Sequence, residues 1–185
     1  MRIITGKFKG RLLATVSDKS VRPAMDRVKT TIFNMLQNRL HLEDARVLDL
    51  FAGSGSLGFE ALSRGASRVL FVDDNPDALE MIEENAERLG CLEECEIIDA
   101  DALTYLRGSK AQFDLIFADP PYAVGEVVAI PELVFNRQLL STSGFLIIEH
   151  SKRTTFEPLA EVREVVRKEF GNTHVTFFDH PPSAS

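Results

Sequence analysis

Several protein classes are excluded by what the sequence lacks. It has only two cysteines, Cys91 and Cys95, with no histidine near them and no second cysteine pair. A disulfide framework is therefore absent, and free thiols in a reducing, cytoplasmic compartment are the expectation, with zinc a remote alternative. No apolar run approaches the roughly 20 residues of a membrane helix, and no signal-peptide pattern opens the chain. A membrane partner is not expected. Internal repeats and low-complexity stretches are absent too. At 185 residues, 44% hydrophobic and 26% charged, the chain has the make-up of one ordinary globular unit with a proper core.

Charge is unevenly distributed. The net value is −7, yet residues 1–40 hold nine Lys/Arg against Asp18 and Asp26 and carry +7, leaving −14 on the remainder. A basic segment on an acidic body points to a polyanion partner for that segment, the alternative being a solvated basic surface. Its candidate contacts are Arg2, Lys7, Lys9, Arg11, Arg22, Arg27 and Lys29. The division expected is a basic hairpin and helix over 1–40 and a ligand-binding unit over 41–185.

Residues 2–5 and 11–14 flank a glycine-bounded turn and read as a small hairpin. A loop over 17–22 is broken by Pro23, after which Asp26 is placed to cap a helix with Val28, Ile32, Met35, Leu36 and Leu40 on one face. From residue 45 strands and helices alternate, the pattern of a parallel sheet covered on both faces. Strands are expected over 46–50, 68–72, 96–98, 114–118 and 145–148. Helices follow from 56 to Gly65, from Pro76 (Asn75 as cap, Gly90 past the end) and over 131–140. Segments 162–170 and 174–178, joined by Gly171-Asn172, read as an antiparallel hairpin, with a frayed tail from His180.

The most informative stretch is Val47-Leu48-Asp49-Leu50-Phe51-Ala52-Gly53-Ser54-Gly55-Ser56-Leu57-Gly58. A buried apolar strand runs into a glycine turn that opens a helix, so a ligand can lie against bare amide N–H groups at the helix start. Taken alone, G-x-G-x-x-G also describes a dinucleotide site or tight packing. Two further strand ends sharpen it. Asp73 is placed to accept from ribose hydroxyls, and Asp101 to meet an adenine amino group. Asp119-Pro120-Pro121-Tyr122 then follows an unbroken apolar strand. Consecutive prolines fix the backbone and remove two donors, leaving the Asp119 carboxylate and the Pro120 carbonyl as rigid acceptors for a planar group bearing NH₂, with Tyr122 to stack on its face. The bland reading is a rigid corner with a packing tyrosine. His150 after Glu149 reads as structural.

Asp49-Leu50-Phe51-Ala52-Gly53-Ser54-Gly55 together with Asp119-Pro120-Pro121-Tyr122 resembles the Rossmann-like S-adenosylmethionine methyltransferases that act on exocyclic amino groups. Met1-Arg2-Ile3-Ile4, Gly10-Arg11, Arg22-Pro23, Asp26-Arg27-Val28, Phe33-Asn34-Met35-Leu36 and Glu149-His150 are similar to one family within them. These are the bacterial guanine-N2 methyltransferases of small-subunit (16S) ribosomal RNA, and the resemblance covers nearly the whole chain. It implies an α/β Rossmann-like fold: a mostly parallel seven-stranded sheet with an antiparallel C-terminal hairpin and a basic N-terminal hairpin-and-helix extension. It implies S-adenosyl-L-methionine held by Asp49, Phe51, Ala52, Gly53, Gly55, Asp73, Asp101, Ala102 and Asp119, and catalysis at Asp119, Pro120, Pro121 and Tyr122 without a metal. The implied substrate is ribosomal RNA (guanine 966 in the family) within an assembled or assembling small subunit, with no obligatory protein partner. Asp73-Asp74 stands where a Glu followed by a basic residue is commoner in the family, and Thr5 and Ala24-Met25 are departures within otherwise recognisable motifs.

Other readings of the residues are the same chemistry on adenine N6 or a glutamine amide, a nicotinamide-dependent oxidoreductase, and a non-catalytic RNA-binding module. The oxidoreductase reading leaves Asp119–Tyr122 unexplained.

Overall fold

The computed structural model describes residues 1–15, 22–121 and 125–182, with side chains left aside at 22–25, 125 and 126. Most of the expected loop over 17–22, Tyr122 and the last three residues lie outside the described residues. The centre is a sheet of β1 (Arg46–Leu50), β2 (Arg68–Asp73), β3 (Cys95–Asp99), β4 (Phe113–Ala118), β5 (Leu140–Ser151), β6 (Arg163–Phe170) and β7 (Thr173–Asp179). Their order is β3-β2-β1-β4-β5-β7-β6. The first five run parallel, while β7 inserts antiparallel between β5 and β6. Among the described residues five α-helices accompany them: α1 (Arg22–Leu36), α2 (Ser56–Ser63), α3 (Pro76–Leu89), α4 (Ala102–Gly108) and α5 (Ala129–Asn136).

Strand side chains alternate between two cores, as the period of a strand requires. Val47, Phe71, Leu115, Phe117 and Phe177 face α1, α2 and α3, whereas Leu48, Leu50, Val72, Ile116 and Ile148 face α4 and α5. Central strands buried on both faces read as unbroken apolar runs, which is why the sequence locates them closely. The expected seven-stranded sheet with its terminal hairpin is the one observed.

Three departures exceed a residue or two. Helix α1 starts at Arg22, so Pro23 lies in its first turn, where a missing N–H costs nothing, and Asp26 sits inside the helix instead of capping it. Helix α5 stops at Asn136 because Gln138 adopts φ +55°, and β5 then begins at Leu140, well before the expected 145. Helix α4, capped by Asp101, is too short at seven residues to announce itself by periodicity.

The N-terminal segment is packed into the first of the two cores. Ile3 and Leu13 are buried there beside Phe33, Leu36 and Phe59. Its hairpin is minimal, a single antiparallel bridge between Arg2 and Leu12. What holds it is Glu60 of α2, fully buried, whose carboxylate accepts the Ile4 amide at 2.7 Å, the Thr5 amide at 3.1 Å and the Arg64 guanidinium at 2.8 Å. Lys29 of α1 lies 3.7 Å from the same carboxylate. Asn85 of α3, also fully buried, accepts the Ala14 amide at 2.7 Å and donates to the carbonyls of Ala14 and Ser54, both at 3.1 Å. Removing one member of a buried ionic group leaves its partners uncompensated. Glu60→Ala should therefore lower unfolding free energy by about 3–5 kcal/mol, read from urea denaturation, and loosen amide exchange protection at Ile4 and Thr5 first.

Candidate active site

The chain passes from β1 out to β2 on one side and later returns to β4 on the other, so a crevice opens beyond the C-terminal ends of β1 and β4 where strand order reverses. Acids cluster at the C-terminal ends of four adjacent strands: Asp49 within β1, Asp73 at the end of β2, Asp119 just past β4 and Glu149 in β5. Parallel pairing of Ala118 with Ile148 puts Asp119 and Glu149 at the next step of the same register.

The glycine turn between β1 and α2 is tightly wired. Phe51 and Gly53 both have φ +55°, and Gly55 has φ +72°. The Gly53 amide donates to the Asp73 carboxylate at 2.8 Å, the Gly55 amide to the Ala52 carbonyl at 2.8 Å and the Gly58 amide to Asp49 Oδ2 at 2.9 Å. The three glycines do different work. A Cβ on Gly58 would stand 2.3 Å from the Phe71 ring and one on Gly55 2.6 Å from Phe59, so both permit α2 to lie close on the sheet. Gly53 faces open space and keeps the backbone bare toward the crevice.

A cavity of about 140 Å³ occupies this crevice. It brings together the sequence-expected Asp49, Phe51, Ala52, Gly53 and Asp119, and adds Glu149, Lys29, Ser54, Ser56 and Leu57. Asp73 stands behind its rim through the Gly53 bond, with its second oxygen accepting the Asn75 amide at 3.0 Å. Asp101 and Ala102 open α4 at the end of β3. There Asp101 is exposed and caps the Thr104 amide at 2.7 Å, and hydrogen bonding to the Thr104 side chain, then to that amide, holds its carboxyl below the usual range. Pro120 is buried and Pro121 exposed, and Tyr122 lies outside the described residues.

Burial governs the acids. Asp49, 2% exposed, has its carboxyl pushed up to about 8 by desolvation; the Gly58 amide opposes this, and Asp119 and Asp73 add repulsion. Desolvation raises Asp119 to about 6, and it raises Glu149 to about 8 with help from the Asp119 charge. The crevice is thus an acid-walled, poorly hydrated slot suited to a ligand with cationic groups. Among the described residues no group of His, Cys, Asp and Glu is arranged to hold a metal.

Glu149 was not assigned a role from sequence, although an acid following an unbroken apolar strand is the same signal that marks Asp73 and Asp119. Of the basic residues, Arg2, Lys7, Lys9, Arg11 and Arg27 are exposed, and the Arg22 side chain is not described. Met1 and Val28 line the cavity, so Arg2 and Arg27 flank it in sequence. Lys29 departs from the expectation: it is 2% exposed and bonds inward, to the Arg2 carbonyl at 2.7 Å and Ser56 Oγ at 3.0 Å. His150 is buried, with its ring nitrogens against the Ser151 carbonyl and Thr176 Oγ1.

Residues 1–179 match the family described as Conserved hypothetical protein 95. The ribosomal RNA small subunit methyltransferase D of Haemophilus influenzae is 36% identical over 155 residues, 82% of this chain and 79% of that protein. The protein of the same name from Escherichia coli K12 is 30% identical over 149 residues, 80% and 74% of the two chains. The chain belongs to this methyltransferase family. The solved structure of the Escherichia coli protein yhhF superposes with a TM-score of 0.84 at 28% identity, covering 97% of both chains. Family and sheet order together make the chain a Rossmann-like methyltransferase, and its acid-walled crevice sits where that fold places its ligand.

An acid whose native value is raised keeps its proton in the folded state while the unfolded chain has lost it, so stability falls as pH climbs from the unfolded value to the native one. For Asp49 that window runs from about 4 to about 8. Asp49→Asn keeps an oxygen for the Gly58 amide and should flatten the loss of stability between about pH 5 and 8, measured by urea unfolding across that range.

Proposed function

We propose that the protein transfers a methyl group from S-adenosyl-L-methionine to the exocyclic N2 amino group of one guanine in small-subunit ribosomal RNA, guanine 966 in the family numbering of the RNA. The observation that supports this reading is Asp119, the first residue of the Asp119-Pro120-Pro121 corner, lining the same cavity as the Gly53 turn. The residues present suit the donor: Gly53 leaves the backbone bare, Asp73 ends β2 and Asp101 caps α4 just past the neighbouring β3, where ribose and adenine would be met, and the buried acids favour a cationic centre. Bound there, S-adenosyl-L-methionine supplies a methyl group that its sulfonium already makes electrophilic.

The work left to the protein is on the nucleophile. The lone pair of guanine N2 is delocalised into the ring and is a poor attacker. An acceptor for each amino hydrogen, the Asp119 carboxylate and the Pro120 carbonyl, favours a pyramidal nitrogen with its lone pair freed. Two prolines in succession hold those acceptors without competing N–H donors. As the N–C bond forms, positive charge grows on nitrogen, and Asp119 stabilises it and is suited by its raised affinity to receive the departing proton. Fixed orientation of the amine contributes the remainder, up to about 7–11 kcal/mol in well-oriented systems. A paired guanine N2 is held in the helix, so the target is an unstacked or loop base presented to the crevice. Exposed Arg2, Lys7, Lys9, Arg11 and Arg27 would hold its flanking phosphates.

Asp119→Asn should lower the turnover number about 100- to 1,000-fold with RNA affinity nearly intact. The assay is tritiated-methyl transfer onto small ribosomal subunits from cells lacking the protein. Nucleoside analysis should show N2-methylguanosine; N6-methyladenosine would reassign the substrate. Neutralising Arg2, Arg11 and Arg27 together should raise the RNA KM and make binding less salt-dependent, the log–log slope falling by about 2–3. Donor affinity should not change.

A further inference from the structure

We propose that Lys29 is the counter-ion for the carboxylate at the amino-acid end of the bound donor, with Ser56 at the start of α2 beside it. The inference rests on the donor assigned above and adds to it a residue that sequence had placed on the RNA-facing surface.

Lys29 is the one basic side chain among the described residues that line the crevice. It is also almost wholly buried, a costly place for an ammonium group unless an anion faces it. Two of its three N–H donors are used, by the Arg2 carbonyl at 2.7 Å and Ser56 Oγ at 3.0 Å, and both acceptors are neutral. The nearest carboxylate, Glu60, stands 3.7 Å away, beyond hydrogen-bond reach. Its oxygens already serve Ile4, Thr5 and Arg64. Lys29 and Arg64 are balanced by Glu60 and by Asp26, one turn before Lys29 on α1, and the third Lys29 donor is left for a ligand. Burial lowers the Lys29 ammonium's hold on its proton, which an incoming anion would restore.

The same cavity is lined by Asp49, Asp119 and Glu149, none of which is among the charges acting on Lys29. The crevice thus has a positive corner and a negative side. A ligand complementary to both carries an anion and cations close together, as an α-amino acid attached to a sulfonium does. Ser56 is the first residue of the eight-residue α2, whose cap, Gly55, provides no side-chain acceptor, so the helix start favours negative charge at the same corner. The polarity orients the donor with its carboxylate toward α1 and α2 and its cationic centre toward the acids.

The test uses the full chain and calorimetric titration with S-adenosylhomocysteine and with its decarboxylated analogue. The wild type should bind the first about 10- to 100-fold more tightly, the worth of a charge-assisted hydrogen bond. Lys29→Met should bring S-adenosylhomocysteine down to the level of the analogue while leaving the analogue's affinity unchanged; Lys29→Arg should keep most of the preference. A lysine that only pins the N-terminal segment would weaken both ligands alike, and that result overturns the proposal. Equal affinity of the two ligands for the wild type overturns it as well, whether or not Lys29→Met folds. Binding of neither ligand by the wild type would instead remove the donor assignment on which the inference stands.

Discussion

The structure turns on a carboxylate that water cannot reach. Asp49 lies in the central strand of a parallel sheet and accepts the Gly58 amide from the first turn of the helix above it. That bond sets the helix over the sheet at the spacing that Gly55 and Gly58 permit, and the five residues between have no choice but to form the turn with Phe51 and Gly53 in left-handed geometry. Desolvation makes the arrangement costly when Asp49 is ionised, and its local amide offsets only part of that cost. An acid whose hold on its proton is raised this far by burial in a crevice marks a functional site.

The same arrangement ties the N-terminal segment to the crevice. A surface hairpin could sit clear of the crevice, but here Arg2 gives its carbonyl to Lys29, which lines that crevice, and Glu60 beneath clamps the amides of Ile4 and Thr5. The N-terminal segment is therefore part of the wall rather than an appendage. Its charges face outward while its backbone is tied inward.

Most of the fold could be read in advance because its informative parts are local. Strands β1, β2 and β4 are apolar runs ended by acids, and α3 carries its own cap and stop in Asn75 and Gly90. The acid at each strand end was legible for the same reason, Glu149 included, although its place in the crevice depends on the β4–β5 register. Lys29 could not be placed. Nothing within a turn of it reveals that Glu60, two elements away, covers it, and a lysine in a basic stretch reads as exposed by default. Helix α4 and the early start of α1 were lost for a different reason: a short helix has too few residues for a period, and Pro23 means opposite things in a first turn and in a loop.

The flanks of the sheet carry a separate consequence. An open sheet ends in two rows of unpaired backbone groups, each a template on which a stray strand can grow. One flank here is β3, only five residues long with Glu96 and Asp99 turned to solvent. The other, β6, is studded with exposed Arg163, Glu164, Arg167, Lys168 and Glu169 and is distorted by a register shift between Glu164 and Val166. Both borders are thus poor seeds for aggregation, so the protein can work at high concentration beside unfolded chains without recruiting them by strand addition.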